Sequence, residues 1–292
     1  MTTQSKRIHV IINPASGKNQ PMLNIINDVC RQHEVEWDAT VTHKFGDATA
    51  QARTAIAAGV DLVAGYGGDG TQHEIANAIL SSERSIPMAI LPGGTGNGFC
   101  RENGVPEDLQ AAVELMCTSA NLRHVDAVRL GNQYFIQRLY TGIEPEQQTS
   151  RELKDRYGVL AYAVTVRQQA QAMIEAQYRL TIDGQVVEAR GTRCYIVNSG
   201  MSGKGLTLDQ KFSVTDGLLD VFLLKRDLAH VEALAARFLH VNRPNSGLHY
   251  WRGREITIES DPDRPVWTDG EYIGRTPITA TVVPGALAVV VP

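Results

Sequence analysis

Gly67-Gly68-Asp69-Gly70-Thr71 forms one short run, and Pro92-Gly93-Gly94-Thr95-Gly96-Asn97 forms another. Each follows an apolar stretch and precedes a segment that reads as helix. Residues without a Cβ let the backbone approach an anion closely, and a helix start turns free N–H groups toward it. That chemistry suits a nucleotide phosphate. Asp69 can hold a divalent cation or orient an attacking hydroxyl, and Thr95 and Asn97 add polar donors. A third turn, Asn13-Pro14-Ala15-Ser16-Gly17-Lys18, offers an amide, a hydroxyl and an ammonium directly after the first strand. It lacks the G-x-x-x-x-G-K-[ST] spacing of a P-loop.

Two more acidic turns lie in the second half. Asp216-Gly217-Leu218-Leu219-Asp220 and Asp269-Gly270-Glu271 each read locally as an Asp-Gly turn. Their carboxylates can also hold a metal or accept a proton. The eight histidines show no HExxH pair, and there is no Gly-x-Ser-x-Gly elbow, which leaves zinc hydrolases and α/β-hydrolases without support.

These residues need a scaffold of 292 positions, 43% of them apolar, enough for two ordinary cores. The first 127 residues alternate strand and helix. Strands are expected at 8–12, 37–42, 61–64 and 88–91, and helices at 21–33, 47–58, 71–80 and 107–116. Thr71 and Glu74 have the spacing of a capping box for the third helix. The alternation predicts a parallel sheet with helices on both faces, and ligands in such sheets bind beyond the carboxyl ends of the strands. After about residue 125 the pattern becomes short β-rich runs, with Asp183-Gly184 as a hairpin turn and helical interruptions at 158–176 and 228–239. The expected architecture is an α/β domain over 1–127 and a β-sandwich over 128–292.

The formal net charge of −4 argues against a nucleic-acid partner. Residues 1–127 carry 9 Lys and Arg against 14 Asp and Glu, the remainder 19 against 18, so the second part is the better one to face an anionic surface. Cys30, Cys100, Cys117 and Cys194 lack CxxC spacing and read as buried, reduced thiols. The N-terminus has no signal-peptide core, and no stretch is apolar over a membrane span. A cytoplasmic protein is expected, with any membrane contact peripheral. The apolar stripe of 158–176 reads as a helix packed on the sandwich, or else as an interfacial helix flanked by Arg151, Lys154 and Arg156.

In order, Asn-Pro-x-Ser-Gly, Gly-Gly-Asp-Gly-Thr, Pro-Gly-Gly-Thr-Gly-Asn, Asp-Gly-Leu-Leu-Asp and Asp-Gly-Glu resemble the motifs of the diacylglycerol kinase catalytic-domain family. That family includes soluble bacterial lipid kinases, sphingosine kinases and ceramide kinases. The resemblance runs from Ile8 to Val291. It implies an N-terminal three-layer α/β domain like that of NAD kinases and a C-terminal β-sandwich with the lipid cleft. It implies ATP and Mg²⁺ as cofactors, a lipid substrate and transient membrane association; a homodimer is a further expectation for this chain. Asn13, Thr42, Gly67, Gly68, Asp69, Gly70, Thr71 and Thr95 match nucleotide-contact positions, with Asn97 beside them. Asp69 matches the family aspartate near the phosphates, and Glu271 the proton acceptor. Ser213, Asp216 and Leu218 match a further Mg²⁺ site. The segments 139–146 and 199–204 depart from the family's glycine-rich patterns, which bears on the acceptor. An NAD kinase is the alternative enzyme, but it would carry a Gly-Gly-Pro loop that this chain lacks. A nucleotide- or lipid-binding protein without catalysis is the alternative of another class.

Overall fold

The computed structural model describes residues 6–16, 20–144, 174–199, 201–202, 206–207, 212–225 and 248–292. The chain divides into two compact units. One holds Met1–Ile136, Ser199–Gly217 and Val283–Pro292; the other holds Gln137–Asn198 and Leu218–Val282.

The first unit opens with β1 (Arg7–Ile12), α1 (Met22–Gln32), β2 (Glu36–Val41), α2 (Asp47–Ala57), β3 (Leu62–Gly67), α3 (Asp69–Leu80) and β4 (Met88–Pro92). Short α4 (Gly98–Glu102), α5 (Leu109–Thr118), β5 (Leu122–Leu130) and β6 (Gln133–Phe135) follow. β3 and β4 are buried along their whole length and β1 at all but its first residue, as parallel strands covered on both faces must be. β1 pairs in parallel with both β2 and β3, and β3 with β4. The order β2-β1-β3-β4 therefore reverses direction at β1. A crevice forms at such a switch point, outside the carboxyl ends of the strands. The helices bury one stripe each: Ile26, Val29 and Cys30 in α1; Ala48, Ala52, Ala55 and Ile56 in α2.

The second unit contains β7 (Arg138–Thr141), β8 (Ala176–Ile182), β9 (Gln185–Gly191), β10 (Arg193–Val197), β13 (Leu219–Leu224), β14 (Leu248–Gly253), β15 (Glu255–Asp261), β16 (Pro265–Thr268) and β17 (Glu271–Arg275). The two-residue strands β11 (Met201–Ser202) and β12 (Leu206–Thr207) form a separate antiparallel pair. One antiparallel sheet runs β14-β13-β10-β7-β16-β17, and a second runs β15-β8-β9. Thr141 Oγ1 on β7 meets the Tyr178 hydroxyl on β8 at 3.0 Å, a buried polar link from one sheet to the other. β18 (Ile278–Val290) serves both units: Ile278–Thr281 pair with β15, and Val289 pairs in parallel with Met88.

The α/β and β-sheet classes agree with expectation, and several local readings need correction. The first glycine run is not an extended turn. Gly65 and Gly67 finish β3, Gly68 alone links it to α3, and Asp69 is already helical. Thr71 and Glu74 form no capping box, because the helix starts at Asp69 and its N-cap Gly68 makes no side-chain bond. The β-rich stretch Tyr134–Arg138 is divided between two strands, β6 and β7. The helices expected over 158–176 and 228–239 lie outside the described residues, except for 174–176, which are not helical, Ala176 opening β8. Arg151, Lys154 and Arg156 lie outside them as well.

Candidate active site

The crevice at β1 is built by hydrogen bonds from Asn13. Its N–H donates to Tyr66 O at 2.9 Å, its Nδ2 to Thr71 Oγ1 at 3.0 Å, and its Oδ1 accepts from Ala15 N–H at 3.1 Å. One side chain thus ties the turn after β1 to the first turn of α3. Gly17 and Lys18 of that turn lie outside the described residues. Thr42, just past β2, is buried, and its N–H donates to Ile12 O at 2.9 Å.

Beside this lies a second junction. Gly93 N–H donates to Gly67 O at 2.9 Å, which continues the β3–β4 ladder past the strand ends. Gly94 then sits against Gly68, with its N–H donated to Asn97 Oδ1 at 2.9 Å. Asn97 is left-handed, at φ 49°, a conformation that Asn tolerates, and it leads into α4. Asp69 reaches across from α3: its Oδ2 accepts from Gly98 N–H at 3.1 Å and its Oδ1 from Phe99 N–H at 3.0 Å. Each carboxylate oxygen has a second lone-pair site for another partner. Thr95 is exposed at the tip of the loop, and Gly70 faces open space, with nothing within 4 Å of where its Cβ would be. The amino end of the three-turn helix α3 presents a positive dipole here. Three hydrogen-bonded sets, Asn13 with Thr71, Gly94 with Asn97, and Asp69 with Gly98 and Phe99, are therefore brought together at the ends of β1, β3 and β4.

Ser213, Asp216 and Leu218 occupy a single turn before β13. Asp216 is exposed, and Gly217 adopts φ 67°. Ser213 Oγ contacts Thr215 Oγ1 at 3.0 Å, which folds the start of the turn. Among the described residues no three His, Cys, Asp or Glu side chains gather as a metal centre. One carboxylate with backbone carbonyls is still an all-oxygen donor set. It suits Mg²⁺, which keeps most of its water and takes one or two carboxylates. Asp220 does other work: buried, it accepts from the Tyr250 hydroxyl at 2.5 Å and pairs with Arg252 Nε at 3.0 Å. Tyr250 and Trp251 are half-buried on β14, and Trp251 stacks on His249 with ring centres 5.4 Å apart.

In the other unit, Asp269 and Gly270 are the two-residue turn of the β16–β17 hairpin. Both have positive φ, at 46° and 98°. The Asp269 carboxylate accepts from Arg138 N–H at 2.8 Å, which fixes the hairpin end to the start of β7. Glu271 follows as the first residue of β17 and is half-buried.

One residue escaped the motif reading, and a second was misassigned by it. Asp126, buried on β5, accepts from Gly217 N–H at 2.7 Å and Gly285 N–H at 2.8 Å, and so holds the 213–218 turn. Glu74 accepts from Gly46 N–H at 2.9 Å and Ala48 N–H at 3.1 Å, so it caps α2 rather than its own helix. Asp126 carried no motif, and Glu74 offered only its misleading spacing to Thr71.

Two domain families match the chain: the diacylglycerol kinase catalytic domain at residues 7–130 and the YegS C-terminal NAD kinase beta sandwich-like domain at residues 138–291. A diacylglycerol kinase of Staphylococcus aureus (strain MRSA252) is 28% identical over 282 residues, covering 93% of this chain and 88% of its own. A diacylglycerol kinase of Staphylococcus saprophyticus is 28% identical over 283 residues, covering 93% and 91%. The crystal structure of a provisionally named diacylglycerol kinase from Bacillus anthracis str. Sterne matches with a TM-score of 0.85 at 26% identity, over 100% of this chain and 97% of that one.

Proposed function

The chain belongs to the diacylglycerol kinase catalytic-domain family and is a lipid kinase, and on that premise we propose that it transfers a phosphoryl group from ATP, with Mg²⁺, to a lipid hydroxyl. The acceptor class is a diacylglycerol-, sphingosine- or phosphatidylglycerol-like alcohol. The observation that carries the reading is the cluster of Asn13, Asp69, Thr71 and Asn97 at the ends of adjacent parallel strands, with the α3 amino terminus beside it. Phosphoryl transfer depends mostly on positioning and electrostatics, which such a cluster supplies.

In this reading the Gly67–Thr71 and Gly93–Asn97 backbones bind and orient the phosphates, and Asn13, Thr42 and Thr95 border the nucleotide. Asp69 orients the reacting end of the phosphate chain. Glu271 takes the proton from the acceptor hydroxyl. Ser213, Asp216 and Leu218 hold a Mg²⁺ through carboxylate and carbonyl oxygens, and Asp126 keeps that turn in place. Bound Mg²⁺ supplies positive charge against the phosphate oxygens. Residues 1–127 would provide nucleotide binding and 128–292 the acceptor side. The reading includes a cytoplasmic protein in peripheral contact with the membrane that holds its substrate. Among the described residues no helix is long and apolar enough to cross one.

Radiolabelled ATP offered with diacylglycerol, sphingosine, phosphatidylglycerol and NAD tests this. A labelled lipid is the expected product, with Glu271→Gln slowed by roughly a hundredfold or more and still folded. NADP as the sole product would move the chain to NAD phosphorylation. ATP binding with no product on any acceptor would leave a binding protein. Full activity in Glu271→Gln would remove Glu271 from its role.

A further inference from the structure

Helices α1 and α5 pack together in the first unit, and their contact carries two thiols. Cys30 Sγ and Cys117 Sγ lie 3.7 Å apart. Cys30 is fully buried, whereas Cys117 is partly open to solvent. One turn along, Nε2 of His33, the residue that caps the end of α1, and Glu114 Oε2 on α5 meet at 2.7 Å, which fixes how the helices align. Lys6 donates to Met116 O at 3.2 Å. The hydrogen bond between the two sulfurs lowers the Cys30 thiol and, with burial, pushes the Cys117 thiol up. The remaining cysteines differ. Cys100 and Cys194 are buried and face no second sulfur.

An apolar helix contact does not need two cysteines, and among the described residues no third ligand completes a metal site around them. Two sulfurs 3.7 Å apart, one of them open, have the geometry of an attacking thiol beside its resolving partner. We propose that Cys30 and Cys117 form a reversible disulfide when a hydroperoxide is present, tying α1 to α5. Once the pair has lost one proton to solvent, the remaining proton moves to Cys30 as the open Cys117 sulfur attacks the peroxide oxygen; the O–O bond breaks, and a sulfenic acid and hydroxide result. The Cys30 sulfur then attacks that sulfenic sulfur, the S–S bond forms, and the sulfenic oxygen leaves as water. Overall two thiols and one hydrogen peroxide give one disulfide and two waters. A dithiol reverses the change by exchange. The closed loop would run from residue 30 to residue 117 and enclose β2, β3 and β4 with both glycine junctions. A bond closing so long a loop restricts the unfolded chain and stabilises the folded one.

The full chain is treated with dilute hydrogen peroxide, then blocked and digested without reductant. Mass spectrometry should find the peptides of Cys30 and Cys117 joined within one chain, two hydrogens lighter, and separated by dithiothreitol. The oxidised protein should melt higher by roughly 5 °C or more, an increase that dithiothreitol removes. Cys117→Ser and Cys30→Ala should each lose both effects, while Cys194→Ala should keep the linked peptides. The wild-type peptide map alone decides the matter if a variant folds poorly. Linkage between two chains, Cys117 stopped at the sulfenic or sulfinic acid, or four unmodified thiols would each overturn the proposal.

Discussion

Gly94 rests on Gly68: a Cβ at Gly94 would lie 2.4 Å from the Gly68 Cα and 2.9 Å from Asn97 Oδ1. The neighbour is backbone and cannot swing away, so Gly94→Ala must push the β4 loop off the β3–α3 junction. We expect a loss of about 1–3 kcal/mol in urea unfolding, with kinase turnover falling alongside. Gly70→Ala is the counterpart. Nothing lies within 4 Å of its Cβ, and the position is helical. That variant should keep its stability or gain about 0.5–1 kcal/mol. Lost ATP binding at unchanged stability would show that the open space beside Gly70 belongs to the ligand. Full ATP binding in Gly70→Ala would count against the proposed phosphate cradle.

Asp69 has a structural duty that can be separated from its proposed chemical one. Asp69→Ala leaves the N–H groups of Gly98 and Phe99 without their acceptor and should cost about 1 kcal/mol, as lost helix caps do. Asp69→Asn retains one carbonyl acceptor and should cost less. If Asp69 orients phosphate, both variants lose turnover by roughly a hundredfold despite their different unfolding midpoints. Activity that merely tracks stability would reduce Asp69 to a cap.

The turn at 213–218 should answer to Asp126. Asp126→Asn replaces an anion that accepts two N–H groups and should weaken the unit by about 1–3 kcal/mol. In the proposed function it also raises the Mg²⁺ concentration needed for half-maximal rate, as Asp216→Ala does directly. Titrating rate against Mg²⁺ for the two variants checks this. An unchanged Mg²⁺ requirement in Asp216→Ala would remove that turn from the metal assignment.

Glu74 sets a pH dependence with a definite sign. Burial raises its carboxyl above the ordinary 4.5 against the pull of the Thr49, Gly46 and Ala48 N–H groups. The folded chain therefore binds this proton more tightly than the unfolded chain does. The contribution to stability is full below 4.5 and drains away as pH rises through the higher folded value. Glu74→Gln cannot titrate. Its urea midpoint relative to wild type should rise between about pH 4 and pH 7, while a constant offset would contradict the assignment.

The parallel half was legible because β1, β3 and β4 are buried on both faces. The run Ile8, Val10, Ile11 and Ile12, broken only by His9, leaves few other readings. Asp183-Gly184 and Asp269-Gly270 were legible for a different reason, since two consecutive positive φ angles select those residue types. The five-residue α4 was hidden. It is too short to show a period, and its capping carboxylate, Asp69, lies 29 residues away. Glu74 misled for a related reason: its spacing to Thr71 suggests a local bond, but three N–H groups of a neighbouring helix start lie within its reach. Asp126 could not be read at all, because its partners Gly217 and Gly285 are distant in sequence.

Val289 adds its pairing to β4, although it belongs to the last ten residues of a unit that begins at the first. During synthesis the parallel sheet cannot acquire that neighbour until Val289 has been translated and released. A nascent chain that has emerged only as far as residue 127 would thus carry both glycine junctions on a sheet whose β4 edge still lacks that partner.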